Sequence, residues 1–329
     1  MQKVLLLPGD GLGPTLIDCA EQIISVATEQ VEIVRGDIGF DAYERTGEYL
    51  PTETVELIKE CGSAICGPLN TYKDGFGKPV NITDSLRKSL DLYATVRPFK
   101  TLSDKLGHPG LCTSLWGSNT SRAFDVSEVR NVDGISLSKY ISTSTYTRMM
   151  TRALTFLEQS GRTKVESITR DDLFPDSSGL FDETFDTVFD PNVYQLSHSN
   201  IQTWASKVVR DPSKYEFLIC ADLYVNVAAG ILAGMAGGNH LFPIGYVGDT
   251  IALMIPGLMT TFDGVTKDDL NPTSIIFASS MALMNIGMTK EAESIVNALC
   301  QTYADWNVTP DLGGTLSAHE FTDIVASNL

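Results

Sequence analysis

The chain has 329 residues, 43% of them hydrophobic and 20% charged, with a formal net charge of −17 at pH 7. That is the balance of a globular protein long enough for two cores, and its acidity argues against nonspecific binding to nucleic acid or to an anionic membrane, both of which need a basic face. No apolar run approaches the ~18 residues of a membrane-spanning helix, and the six cysteines include no CxxC pair, so reduced and mostly buried thiols are expected.

KVLLLPGDG, from Lys3, reads as a buried strand followed by a glycine turn. The turn GDGLGPT, Gly9 to Thr15, misses the spacing of a dinucleotide-binding GxGxxG and reads as a tight bend that brings the next helix close to the strand. TLIDCAEQIISVATEQ has helical periodicity, VEIVRGDIG reads as a second strand, and TETVELIKECG as a helix closed by Gly62. SAICGPL is a strand, and NITDSLRKSLDLY a helix with Thr83 or Asp84 near its start. From about Lys100 to Asp249 the texture changes. KYISTSTYTRMMTRALTFLEQSGR is one long helical pattern ending before Gly161, TKVESITRDDLF a strand and polar turn, YEFLICADLYV a strand, and NVAAGILAGMAGG a small-residue helix. SIIFASSMALMNIG and EAESIVNALCQTYADW then read as amphipathic helices. This alternation predicts an α/β protein in two lobes, residues 1–99 with 250–329 and residues 100–249.

The stretch LRKSLDLYATVRP carries Arg87 and Arg97 around an apolar centre. A guanidinium grips a carboxylate through two parallel hydrogen bonds, so two on one segment suit a di- or tricarboxylic acid.

GDGLGP, LRKSLDLYATVRP, ADLYVNVAAGILAGMAGG, YVGDTIALMIP and TPDLGGTLSAHEFTDIV follow one another in an order and at separations that resemble the β-decarboxylating dehydrogenases: isocitrate, isopropylmalate and homoisocitrate dehydrogenases. The resemblance covers nearly the full chain. It implies a two-lobed fold with a mixed sheet that is not a Rossmann fold, the terminal lobe on the cofactor side and the middle lobe on the substrate and dimerisation side. It also implies a dimer whose sites combine residues of both subunits, NAD(P) as hydride acceptor, and Mg²⁺ or Mn²⁺ as the Lewis acid.

Carried over residue by residue, the resemblance gives a divided result. Arg87 and Arg97 match the first two substrate arginines, with Asn81 and Thr83 beside them as substrate contacts, but the third arginine falls on Gly117, and Arg122 lies five residues on. The catalytic tyrosine falls on Phe124 and the catalytic lysine on Arg170, which cannot release a proton near neutral pH. The metal aspartates, which follow a Leu-Tyr-Gly turn in the family, fall on Asn226 and Gly230, and the one from the neighbouring subunit near Gln202. Mg²⁺ and Mn²⁺ prefer anionic oxygens, so neither is expected here unless Asp171, Asp172 or Asp222 rebuilds the site. In the cofactor loop the histidine falls on Leu258 and a glycine on Met259, while Asp263 and Asn271 match contacts to the adenosine end of NAD.

Three readings follow. The first is a catalytically inactive subunit, akin to noncatalytic subunits of NAD-dependent isocitrate dehydrogenase in the tricarboxylic acid cycle. It would bind a carboxylate, NAD or another adenine nucleotide, and work as a homodimer or beside an active paralogue. The second is an active NAD- and metal-dependent decarboxylase with a rebuilt site. The third is a scaffold without small-molecule ligand. A cytoplasmic or mitochondrial-matrix location is expected, with no nucleic-acid or membrane partner.

Overall fold

The computed structural model describes residues 1–73, 79–119, 127–257 and 270–329, and the chain divides into two compact units. Met1–Asp91, Leu102–Gly107 and Gly237–Leu329 make the first, and Leu92–Thr101 with His108–Ala236 the second. These limits differ from 99/100 and 249/250 because strand pairing sets them. Ala94–Lys100 pairs antiparallel with Cys112–Ser118 along its whole length, which puts it in the second unit. Ile244–Val247 pairs antiparallel with Ala252–Ile255, which puts it in the first.

In the first unit Gln2–Leu7 runs parallel to Val31–Arg35 on one side and to Ser63–Cys66 on the other. Ser63–Cys66 is in turn parallel to Ala252–Ile255. Val4 to Leu7 are fully buried, as a continuous apolar run must be when helices cover both faces of a parallel sheet. The helix Gly13–Ala27 buries Leu16, Ile17, Ala20, Ile23 and Ile24 on one stripe. Thr52–Cys61 ends on Gly62 at φ 69°, the left-handed cap that the sequence predicts.

The glycine turn is structural. Gly9 and Gly11 have φ of 71° and 59°, and a Cβ on Gly13 would lie 1.9 Å from the Pro8 carbonyl oxygen. Between them the buried Asp10 accepts the backbone N–H groups of Phe40 (2.7 Å) and Asn70 (2.8 Å), tying three loops together.

Thr273–Asn285 is not the amphipathic helix that its sequence suggests. Thr273 to Ser280 are all buried, with Ala282 and Leu283, so it is a core helix enclosed on every side. Thr289–Ala304 does follow the expected pattern, burying Ala292, Ile295, Ala298, Leu299 and Tyr303.

In the second unit the strand order is Gln195–Asn200, Lys164–Thr169, Phe217–Cys220, Cys112–Ser118, Ala94–Lys100, parallel except at the last pair. The α/β class and mixed sheet expected from the sequence are therefore present. Thr143–Ser160 starts at Ser142, whose hydroxyl oxygen accepts the Thr145 N–H, and ends at Gly161 with φ 64°. Trp116 anchors the core against Phe156 and Phe217, with ring centroids 5.0 and 6.0 Å away. A separate antiparallel hairpin, Ser127–Asn131 with Gly134–Ser138, carries the exposed side chains of Val129, Ile135 and Leu137.

Candidate functional site

LRKSLDLYATVRP is divided between the units. Arg87 sits in the helix Ile82–Ser89 and Arg97 in the strand Ala94–Lys100. Asn81 is the helix N-cap, its side-chain oxygen accepting the Asp84 N–H at 3.0 Å, and Thr83 lies half-buried in the first turn. Arg87 donates to Asp84 one turn back and lies 5.3 Å from the ring centroid of Tyr246. Burial alone would push the Asp84 carboxyl up, but Arg87 and Lys88 hold it below the usual carboxylate range.

The second unit gathers several of the family positions. Arg97 Nη2 donates to Asn226 Oδ1 at 2.8 Å. Asn226 and Gly230 are one turn apart near the start of the helix Val225–Ala236, both exposed. Gly230 has open space where a side chain would be. A dication held by the Asn226 oxygen would stand within ~4 Å of the guanidinium, a repulsion of ~8 kcal/mol at an effective dielectric of ~20.

Asp222 is paired with a cation of the chain itself. Lys139 Nζ lies 3.1 Å from its carboxylate, with only 9% and 4% of the two side chains exposed. Nothing in the sequence signals this pair, since neither spacing nor hydropathy links residues 83 apart. Tyr146 is buried nearby, and burial followed by the charge of Asp222 pushes its phenol far above the ordinary value. Asp171 and Asp172 are also engaged, accepting from Asn200 Nδ2 at 2.9 and 2.6 Å. Among the described residues no group of three His, Cys, Asp or Glu side chains is arranged to hold a metal ion. The described residues at these positions do not fit the family's dication.

Arg170, at the lysine position, follows the strand Lys164–Thr169 and donates through Nε to Asp172 Oδ1 at 2.9 Å. Gln202 is exposed in the first turn of Ile201–Arg210, a helix capped by Asn200, whose oxygen accepts the Gln202 N–H at 3.0 Å.

Gly117, at the third arginine position, faces Val225. A Cβ built on Gly117 would lie 2.3 Å from Val225 Cγ2. Val225 fills the space beside Gly117. The sequence contains both residues but not their proximity.

On the nucleotide side, Asn271 is 3% exposed. It donates to Asp311 Oδ2 at 3.1 Å and to the Tyr303 hydroxyl at 3.4 Å, and its oxygen accepts the Thr273 N–H at 3.0 Å. Arg122, Phe124, Leu258, Met259 and Asp263 lie outside the described residues.

Comparison with known proteins agrees with the fold. The family model described as isocitrate/isopropylmalate dehydrogenase matches residues 3–325. The chain is 27% identical over 331 residues to a 3-isopropylmalate dehydrogenase of Archaeoglobus fulgidus, covering 100% of both. It is 29% identical over 329 residues to a mitochondrial NAD isocitrate dehydrogenase regulatory subunit of Dictyostelium discoideum, covering 98% of this chain and 90% of that one. The crystal structure of isocitrate dehydrogenase from Methylococcus capsulatus superimposes with a TM-score of 0.87 at 25% identity, covering 100% of this chain and 99% of that chain. The chain belongs to the isocitrate/isopropylmalate dehydrogenase family.

Proposed function

We propose that this protein is a catalytically inactive member of the family, a regulatory or structural subunit that binds a carboxylate or an adenine nucleotide and works as a homodimer or beside an active paralogue. The observation that carries this reading is at the lysine position. Arg170 keeps a positive charge but cannot cycle a proton near neutral pH, and its side chain is bonded to Asp172. Loss of one acid–base group lowers a rate by ~10²–10⁴-fold. The unsuitability of the Asn226 and Gly230 positions for a dication adds to that loss.

Arg87, Asn81 and Thr83 in the first unit, and Arg97 in the second, are each proposed as contacts to a carboxylate, and Asp263 is the group proposed for a nucleotide ribose. A ligand that binds one closure state better than another biases a partner's activity by that difference in affinity. The exposed hairpin supports assembly. A two-stranded ribbon is marginal alone in water, and Ile135 and Leu137 project from one of its faces with 55% and 65% of their surface exposed.

The test is NADH formation by the purified, folded protein at high concentration with Mn²⁺ and isocitrate, isopropylmalate or homoisocitrate in turn. No turnover is expected. Metal-dependent turnover would establish instead an active decarboxylase with a rebuilt site.

A further inference from the structure

We infer that the second unit carries a site for a small primary ammonium ion, in the cavity beside Glu166 at the starting ends of its parallel strands. The site goes beyond the carboxylate and nucleotide readings above and does not depend on them. Glu166 lies in the strand Lys164–Thr169, paired with Ser197 on one side and Leu218 on the other. A cavity of about 250 Å³ opens there, lined by Glu166, Gln195, Ser197 and Tyr215 among others. Arg170 lies four residues further on, ~13 Å along the strand direction, so this cavity is not part of the site described above. Its other charges are matched within the chain. Lys164 Nζ is 2.8 Å from Glu216 and Lys214 Nζ 2.9 Å from Asp211, and Glu216 also accepts the Thr163 and Lys164 N–H groups, each at 3.2 Å.

Glu166 differs from them. It is 9% exposed, and no cation among the described residues forms an ion pair with it. Its bonded neighbours are the neutral hydroxyls of Ser197 and Ser199, while Lys207 and His198 act only through their charge. Lys207 is exposed on the helix Ile201–Arg210. His198 alternates with Ser197 and Ser199 along its strand and so points to the other sheet face, where Asp182 and Asp186 meet it at 3.1 and 3.0 Å. A buried carboxylate without a cation is costly, and a cation from solution removes that cost. The cavity selects which cation. Mg²⁺ and Ca²⁺ need about six or more close oxygens, and no group of three His, Cys, Asp or Glu side chains among the described residues is arranged to supply them. An ammonium has three N–H donors, which suit the carboxylate together with the Ser197 hydroxyl and the Gln195 amide oxygen. Leu196 and Phe217 add apolar lining for a short carbon chain. The volume equals that of about eight waters at ~30 Å³ each, which admits a few carbons and excludes a nucleotide.

The test titrates the full chain at pH 8 with propylammonium chloride, replacing NaCl so that ionic strength stays constant, and follows the melting temperature. A saturable rise is expected with propylammonium and none with 1-propanol, which has the same carbon chain without the charge. In Glu166→Gln, an isosteric change, the affinity is expected to fall about tenfold or more, the loss of a charge-assisted hydrogen bond. The melting temperature of that variant without ligand shows whether it is folded, and chemical-shift changes at Ser197 and Tyr215 in the parent locate the ligand independently of the variant. Absence of a saturable rise in the parent overturns the inference. So does a rise that 1-propanol reproduces, one that survives Glu166→Gln unchanged, or shift changes confined to other residues.

Discussion

Val225 occupies the space that a side chain on Gly117 would need, its Cγ2 only 2.3 Å from the position of a Cβ there. Restoring a large residue at 117 alone therefore meets a filled site. Gly117→Arg is expected to destabilise the protein by about 1–3 kcal/mol through overpacking, and Val225→Gly in the same chain to recover most of that loss. Urea unfolding of both single variants and the double variant gives the coupling energy directly. Additive effects would mean that the two positions do not share one volume.

The buried pair Lys139–Asp222 makes a second prediction. Lys139→Met leaves a carboxylate 4% exposed without the ammonium now 3.1 Å away, and removing one partner of a buried pair costs about 3–5 kcal/mol. Lys139→Met with Asp222→Leu removes both charges, and its stability is expected to return to within about 1 kcal/mol of the parent. Thermal or urea midpoints at neutral pH distinguish the cases.

Glu166 gives the pH dependence. Burial pushes its carboxyl above the ordinary value, against the pull of Ser199, Ser197, Lys207 and His198. With the folded value raised above the unfolded one, the favourable contribution is fully present below the unfolded pKa of about 4.3 and is lost as pH rises through the folded value. Glu166→Gln removes that loss. The variant should melt higher than the parent at pH 7, with the difference shrinking as pH falls toward 4. A variant that melts lower at pH 7 would show that the carboxylate is stabilised by its partners after all.

Assembly is tested at the hairpin Ser127–Ser138. Ile135→Asp with Leu137→Asp places two charges on one exposed face without touching a buried residue. Light scattering at fixed concentration is expected to show a dimer or larger species for the parent and a smaller one for the variant. A parent that is already monomeric, or an unchanged mass, would remove the hairpin from the interface.

Much of the fold is legible in the sequence because its evidence is local. The buried run at Val4–Leu7, the helical stripe from Leu16 to Ile24, and the left-handed glycines at 62 and 161 are set by residues a few positions apart. Thr273–Asn285 misleads for an equally local reason. Its serines imitate a polar face, but a small hydroxyl can bond back to its own helix, as Ser279 Oγ does to the Ile275 carbonyl at 3.1 Å, and so be buried. The cap of Ile82–Ser89 is Asn81, one of several residues near that start able to cap it.

By itself the sequence determined the α/β class and the family. Only the tertiary structure decided which distant side chains meet. Arg97 meets Asn226 across 129 residues of chain, Lys139 meets Asp222 across 83, and Val225 fills the space beside Gly117. Periodicity and capping follow from bonds between near neighbours along the chain. Which distant side chain satisfies a charge or fills a volume depends on how the strands pair and the helices pack, and no local pattern encodes it.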